Sequence, residues 1–419
     1  VFITPILGAV LTVGSLATMG YRQLKAYFTP PPEPDYFLDD FRRSLQTHKI
    51  IDETTFVELT KYDKTDYGFH LKLRLPQGIT IASFKKVIPA IEQDLWCKIK
   101  FKHIFGRDCE MHIGKKDLNE KISFSPSMIT DGLKVPLMSH FGLIHFDLYD
   151  EASWHLLVGG AARTGKTVFL RLLLSSIMEG MKGKLQVHLS TTKASDFYMF
   201  PNINLTDDVN ETIQMLNDIL IEAKRRKDLL KEKGNVIDLK HFREVYPDEP
   251  MEPIILIIDE YARLADIEEI QEVVMELIET YSYVDVHIIL ATQRPDATTV
   301  LKPRIKANII ARMGLTTADE NNSKLIIGSE DCAYLGGIKG RAILLDGIME
   351  TVQVPYINPK QCEEIARRFK KYGTQLERQI DNQITTGIQS LESQSISNHD
   401  LLGRSTTYND GESSPEKIG

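Results

Sequence analysis

The stretch Gly160-Ala161-Ala162-Arg163-Thr164-Gly165-Lys166-Thr167 constrains this chain more than any other. It reads G-x-x-x-x-G-K-T. The apolar run His155-Leu156-Leu157-Val158-Gly159 precedes it, and the amphipathic run Val168 to Leu174 follows. The order predicted is strand, phosphate-binding loop, helix. Backbone N–H groups must curl around a polyphosphate, which calls for glycine where a Cβ would clash or φ must be positive. The helix then aims its positive end at the same anion. Lys166 is expected to reach the β- and γ-phosphates and the Thr167 hydroxyl to ligate Mg²⁺, so the cofactors are ATP and Mg²⁺.

A second motif lies downstream. Pro253-Ile254-Ile255-Leu256-Ile257-Ile258-Asp259-Glu260 is an apolar run of the kind buried in a parallel sheet, ending in two acids. Carboxyl ends of such strands are where α/β sheets hold ligands. Asp259 is expected at the metal and Glu260 as the general base that polarises water. The run His287 to Ala291 is another buried strand, and it ends in Thr292-Gln293-Arg294-Pro295. Gln293 is expected to sense the γ-phosphate or orient the water.

Strand and helix signals alternate around these motifs. Leu185–Ser190 reads as a strand and Val209–Lys233 as a long helix. Glu268–Tyr281 is a further helix, Ile305–Leu315 a region running through a strand, Gly336–Leu345 a tight turn entering a hairpin, and Lys360–Tyr372 a closing helix. The fold class expected is α/β: a P-loop NTPase core with a mainly parallel, RecA-like sheet over residues 130–372. The later half of the long helix carries Lys224, Arg225, Arg226, Lys227, Lys231 and Lys233. Acids are interleaved with them, so the expectation is a solvated face. Residues 35–129 suggest a small α+β domain, with strands at Phe69–Leu75, Lys98–Lys102 and Cys109–Ile113 and a helix over Thr80–Leu95. Its lysines at 98, 100 and 102 fit an edge strand. They leave room for a surface that faces DNA or another subunit.

Val1 to Tyr21 holds no charge, and about 20 apolar residues suffice to span a bilayer as a helix. Arg22 and Lys25 follow it, which favours a transmembrane anchor with the ATPase body in the cytoplasm. A signal peptide would carry its charge before the apolar run. No Met opens the chain, so segments upstream are left open. Residues 22–34 include the stiff spacer Thr29-Pro30-Pro31-Pro32-Glu33-Pro34, and residues 373–419 read as a polar, largely disordered tail. The net charge of −8 argues against a wholly basic coat but permits a locally positive channel. The four cysteines form no C-x-x-C pair, so neither zinc nor a disulfide framework is expected.

Together these blocks resemble the FtsK/SpoIIIE family of motor ATPases, from about Tyr62 to Ile357. The phosphate loop, Ile257-Ile258-Asp259-Glu260-Tyr261-Ala262, His287 to Pro295 and Ile305-Lys306-Ala307-Asn308-Ile309 are similar to its signature segments. The resemblance implies a homo-hexameric ring that pumps double-stranded DNA. A membrane-anchored, single-core chain without a winged-helix domain is most similar to the coupling ATPase of Gram-positive conjugative elements, with a relaxase and secretion-channel proteins as partners. The alternatives are a chromosome-partitioning pump, a type VII-like protein-secretion ATPase, and a non-hydrolysing nucleotide-dependent membrane scaffold. Segments after Lys193 and from Asp296 to Lys302 are candidates for pore loops. Two departures stand out. Ser190-Thr191-Thr192-Lys193 replaces the usual Asp-Pro-Lys, and Asn322-Ser323-Lys324 stands where the motors tend to show Ser-Arg. Lysine lacks the planar guanidinium fork. Arg312 is therefore the other candidate for a finger that acts across the subunit boundary.

Overall fold

The computed structural model describes residues 36–369, apart from 53, 151, 152, 250, 297–299 and 301. The anchor Val1 to Tyr21, the proline spacer, the tail and much of the segment 296–302 lie outside the described residues. Among the described residues, no helix is long and apolar enough to cross a membrane.

The chain divides into two compact units between Asp117 and Leu118. The first comprises α1 (Tyr36–Thr47), β1 (Glu58–Thr65), β2 (Gly68–Arg74), α2 (Ile81–Leu95), β3 (Lys98–Phe105) and β4 (Asp108–Gly114). Its antiparallel sheet has the order β1-β2-β4-β3. Period-two patterning decides its faces. Phe69, Leu71 and Leu73 of β2 and Cys109, Met111 and Ile113 of β4 are buried with Phe41, Leu45, Phe84 and Ile91 of the two helices. The alternate residues His70, Lys72, Glu110 and His112 take the other face. The start of α2 is fixed by Thr80, whose hydroxyl accepts from the Ser83 amide in a reciprocal capping box. The basic strand β3 lies at the sheet's edge, as its lysines suggest.

The second unit holds one sheet, ten-stranded among the described residues, ordered β6-β5-β14-β13-β12-β7-β11-β10-β8-β9. Its parallel part comprises β7 (His155–Gly159), β8 (Gln186–Ser190), β9 (Asn204–Thr206), β10 (Ile254–Ile258), β11 (Val286–Thr292) and β12 (Ala311–Leu315). The antiparallel flank is β13 (Arg341–Asp346), β14 (Ile348–Gln353), β5 (Lys134–Ser139) and β6 (Gly142–Asp147). The helices are α3 (Lys166–Gly180), α4 (Val209–Lys233), α5 (Leu239–Val245), α6 (Glu268–Thr280), α7 (Pro303–Asn308), α8 (Glu320–Ile327) and α9 (Pro359–Ala366). In β10 every residue is buried, but in two directions. Ile255 and Ile257 join the core under α3, while Ile254, Leu256 and Ile258 join the core under α4 and α6. Helices on both faces are what so continuous an apolar strand requires.

Several expectations need correction. The boundary falls at 117/118 rather than 129/130. Phe124 packs in the second unit's core, its amide donates to the Tyr356 carbonyl at 3.0 Å, and Gly132 N donates to Gly180 O at 3.1 Å. Ile305–Leu315 is two elements: Ile305 and Ile309, spaced i and i+4, point a helical turn inward before β12 begins. The closing helix stops at Ala366, short of Tyr372. Arg226 is not on a solvated face. It is 1% exposed and donates to Glu222 Oε1 at 2.8 Å, the Val284 carbonyl at 3.2 Å and the Glu252 carbonyl at 2.9 Å. Lys224 and Lys233 do behave as expected, pairing with Glu276 and Glu249 near the surface.

A Cβ added at Gly180 would stand 2.3 Å from the Gly132 carbonyl oxygen and 2.8 Å from that of Thr130. Gly180→Ala is therefore expected to cost the second unit about 2 kcal/mol, the usual scale of overpacking. Urea unfolding should show the loss as a lower midpoint with an unchanged slope.

Candidate nucleotide site

The sheet register brings the motifs together. Gly159 ends β7 opposite Thr292, the end of β11, while Ile258, the end of β10, lies opposite Leu290. The phosphate loop, Gln293 and the Asp259-Glu260 pair thus leave three neighbouring strands at one edge. The Gly160 amide donates to the Thr292 carbonyl at 3.3 Å and the Asp259 amide to the Ser190 carbonyl at 2.9 Å, which ties the loops to their neighbours.

Gly165 shows why the loop needs glycine. Its φ is +118°, and a Cβ there would meet the Gly340 amide nitrogen at 2.9 Å. It also serves as N-cap of α3, so the helix begins at Lys166 with its free N–H groups at the loop. The Thr164 hydroxyl donates to the Ala161 carbonyl at 2.7 Å and closes the turn. Ala161, Ala162, Arg163, Gly165, Lys166 and Thr167 line a cleft of about 1130 Å³, and Gln293 and Lys193 line it too. Its far wall holds Ile338, Lys339, Gly340 and Tyr356.

Lys166 is buried to 5% exposure. Its ammonium donates to the Asp259 carbonyl at 2.6 Å and stands 3.4 Å from Asp259 Oδ1 and 3.2 Å from Glu260 Oε2. The two acids are held differently. Asp259 Oδ2 accepts from the Thr191 hydroxyl at 3.0 Å, while Oδ1 is buried with no hydrogen-bond partner among the described residues. A carboxylate oxygen kept from water with only a cation near it fits a metal ligand. Glu260 is clamped at the end of β11. Its Oε1 accepts from the Thr292 hydroxyl and the Gln293 amide, both at 3.0 Å, and Oε2 accepts from that amide at 3.1 Å. Tyr261 is buried behind the pair, and burial pushes its hydroxyl up to about 12, so it stays neutral there.

Of the expected residues, the loop from Gly160 to Thr167, Asp259, Glu260 and Gln293 converge at this edge. The Gln293 side chain is exposed on the cleft, and its backbone N–H orients Glu260. Arg312 does not join them. Its guanidinium donates to the carbonyls of Ile309 at 3.1 Å and Lys306 at 2.6 Å, closing the end of α7 within its own chain. Partial burial lowers its pKa. Lys324 is paired with Glu330 at 2.6 Å, and Ser323 is buried, accepting from the Cys332 amide. That block is bracing for the end of α8. The sequence reading missed two features. Thr191, noted only as a departure from a family pattern, orients Asp259. Gly336-Gly337-Ile338-Lys339-Gly340, read only as a turn, walls the cleft, with the Gly340 amide donating to the Thr164 carbonyl at 2.7 Å. Three glycines in five residues beside a phosphate loop were the available signal.

No protein-family model matches the chain. Sequence relatives match about half of the chain. A DNA translocase FtsK from Borreliella burgdorferi is 28% identical over 247 residues, 55% of this chain and 31% of its own length. Another, from Caldanaerobacter subterraneus, is 28% identical over 229 residues, 52% of this chain and 32% of its own. These relatives support the resemblance to FtsK/SpoIIIE-type translocase ATPases over about half of the chain. The chain spans about a third of the length of the relatives it matches. Solved structures share the fold of this chain. The monomer form of the pCW3 conjugation coupling protein TcpA, with ATPγS, aligns at TM-score 0.55 and 19% identity, over 80% of this chain and 99% of TcpA. The cytoplasmic domain of the type VII secretion ATPase EccC from Thermomonospora curvata aligns at 0.51 and 19%, over 61% of this chain and 33% of EccC.

Thr191→Val keeps the shape and removes the donor to Asp259. Mg²⁺-dependent binding of a fluorescent ATP analogue is expected to weaken about tenfold, the lower end of what the loss of such an outer partner costs. Binding measured in EDTA should not change.

Proposed function

We propose that the chain is a Mg²⁺-dependent ATP hydrolase that works as a homo-hexamer and drives double-stranded DNA, free or with a relaxase, toward a conjugative secretion channel from a membrane anchor at Val1 to Tyr21. The observation that carries the hydrolytic part is Asp259 Oδ1, buried without a hydrogen bond among the described residues, beside a clamped Glu260, with the phosphate-loop lysine 3.4 Å from the one and 3.2 Å from the other.

Each residue then has a physical task. The loop N–H groups and the start of α3 bind the polyphosphate. Thr167 and Asp259 are the residues that would hold Mg²⁺, which supplies charge neutralisation at the phosphates. Lys166 is the group that changes partners: as its ammonium turns to phosphate oxygens, Oε2 of Glu260 loses a donor. Glu260 can then accept a proton from water, while Thr292 and the Gln293 amide keep its carboxylate from rotating. The Gln293 side chain, exposed on the cleft and continuous with that amide, links phosphate occupancy to the end of β11. Arg312, braced on the Ile309 and Lys306 carbonyls, is the candidate for a finger that reaches a neighbouring subunit's nucleotide.

The motor part is supported by the FtsK relatives. The coupling-protein reading draws on the alignment with TcpA, nearly all of which this chain spans, whereas it spans a third of EccC. The hexamer, relaxase, channel and membrane anchor rest on the sequence resemblance and on the uncharged run Val1 to Tyr21.

Glu260→Gln is expected to keep nucleotide affinity and lower turnover by about 10²–10⁴, the range for a positioned general base. Lys166→Ala should lose both, and full phosphate release by either variant would refute the assignment. Double-stranded DNA should stimulate wild-type phosphate release, and the DNA concentration needed should rise steeply with salt, because phosphate contacts release counterions. Stimulation by a peptide substrate and not by DNA would favour a protein pump.

A further inference from the structure

On the open face of the first unit's sheet, three donors of metal-ligand type converge. His70 on β2 lies directly opposite His112 on β4, and Glu110 precedes His112 by two residues on the same face. Their ligand atoms all lie within 4.8 Å of one another. The imidazoles stack with centroids 4.3 Å apart and planes 11° from parallel. His70 Nε2 is 2.6 Å from Glu110 Oε1, and on the ring's other side Nδ1 is 3.5 Å from Asp63 Oδ2 of β1. That sequence of carboxylate, imidazole and inner donor is how proteins orient a metal-binding histidine.

We propose that His70, Glu110 and His112 form a binding site for a divalent transition metal, Zn²⁺ by its donor set, with Asp63 fixing the tautomer of His70. Two imidazoles and one carboxylate suit Zn²⁺ better than the hard ions Mg²⁺ and Ca²⁺. Ligation uses neutral imidazole nitrogens, so the metal competes with protons for the site. Three protein ligands leave a fourth position for water or for a donor from another molecule. Lys72 faces the same carboxylate, its Nζ 3.9 Å from Glu110 Oε1, and its charge opposes the ion. The site is separate in sequence and chemistry from the nucleotide-binding residues. Its occupancy ties β2 to β4.

The test uses the purified full-length chain with ZnCl₂ and CoCl₂ as probes, with Mg²⁺ in excess to hold other oxygen sites. Calorimetry should show one Zn²⁺ per chain with proton release, and Co²⁺ should give visible absorption of a low-coordinate site. His112→Ala should weaken Zn²⁺ binding at least tenfold and Asp63→Asn about tenfold. His112→Cys should restore binding and add a thiolate-to-Co²⁺ charge-transfer band, a signature that unfolding cannot produce. Equal Zn²⁺ affinity in wild type and in His70→Ala/His112→Ala, or no such band in a folded His112→Cys protein, would overturn the proposal. Phosphate release is read in parallel: its failure with Zn²⁺ binding intact would count against the hydrolase reading alone.

Discussion

One buried ammonium organises the second unit. Lys166 sits between two carboxylates that would otherwise repel each other across a few ångströms with little water to screen them. The balance is incomplete by one negative charge, and among the described residues Asp259 Oδ1 is left without a hydrogen bond, with the Lys166 ammonium 3.4 Å away. A site built this way favours a divalent cation and a polyphosphate together: the cation offsets the acids once the lysine has turned to the anion. The same local charge pattern answers for binding, for metal placement and for freeing the base.

That arrangement depends on strand order more than on the loop. β11 lies between β7 and β10, so the phosphate loop and the acidic pair are not on adjacent strands. The strand between them supplies the clamp, through the Thr292 hydroxyl and the Gln293 amide. Any shift of β11 along its axis therefore moves Glu260. Gln293 follows Thr292 directly, and its exposed side chain lines the cleft. A phosphate-dependent displacement at Gln293 has a short route to the base and to the chain beyond Pro295.

Much of this was legible in the sequence because the signals were local. The long helix Val209–Lys233 forms with the bounds its sequence suggests, and the structure shows Asp208 capping its start and Gly234 ending it with φ +68°. The strands β10 and β11 were evident as uninterrupted apolar runs, and the acids at the end of β10 followed from them. What was missed needed partners distant in sequence. β5 contains Pro136, which argues against a strand; yet its pairing with β14 reaches only Met138 and Ser139, so the proline sits where β6 alone is paired. Arg226 looked solvated because its acceptors, the carbonyls of Glu252 and Val284, come from the ends of other segments. Thr191 gave no sign of its role until β8 was placed beside β10.

The central claim is that Asp259 offers an oxygen to a metal held with nucleotide in the Lys166 loop. Electron paramagnetic resonance of Mn²⁺ titrated with a non-hydrolysable ATP analogue measures this directly, because bound Mn²⁺ loses its sharp six-line signal. The account predicts one nucleotide-dependent Mn²⁺ per chain in wild type, lost in Asp259→Asn and retained in Arg312→Ala. Undiminished Mn²⁺ binding in Asp259→Asn would contradict it.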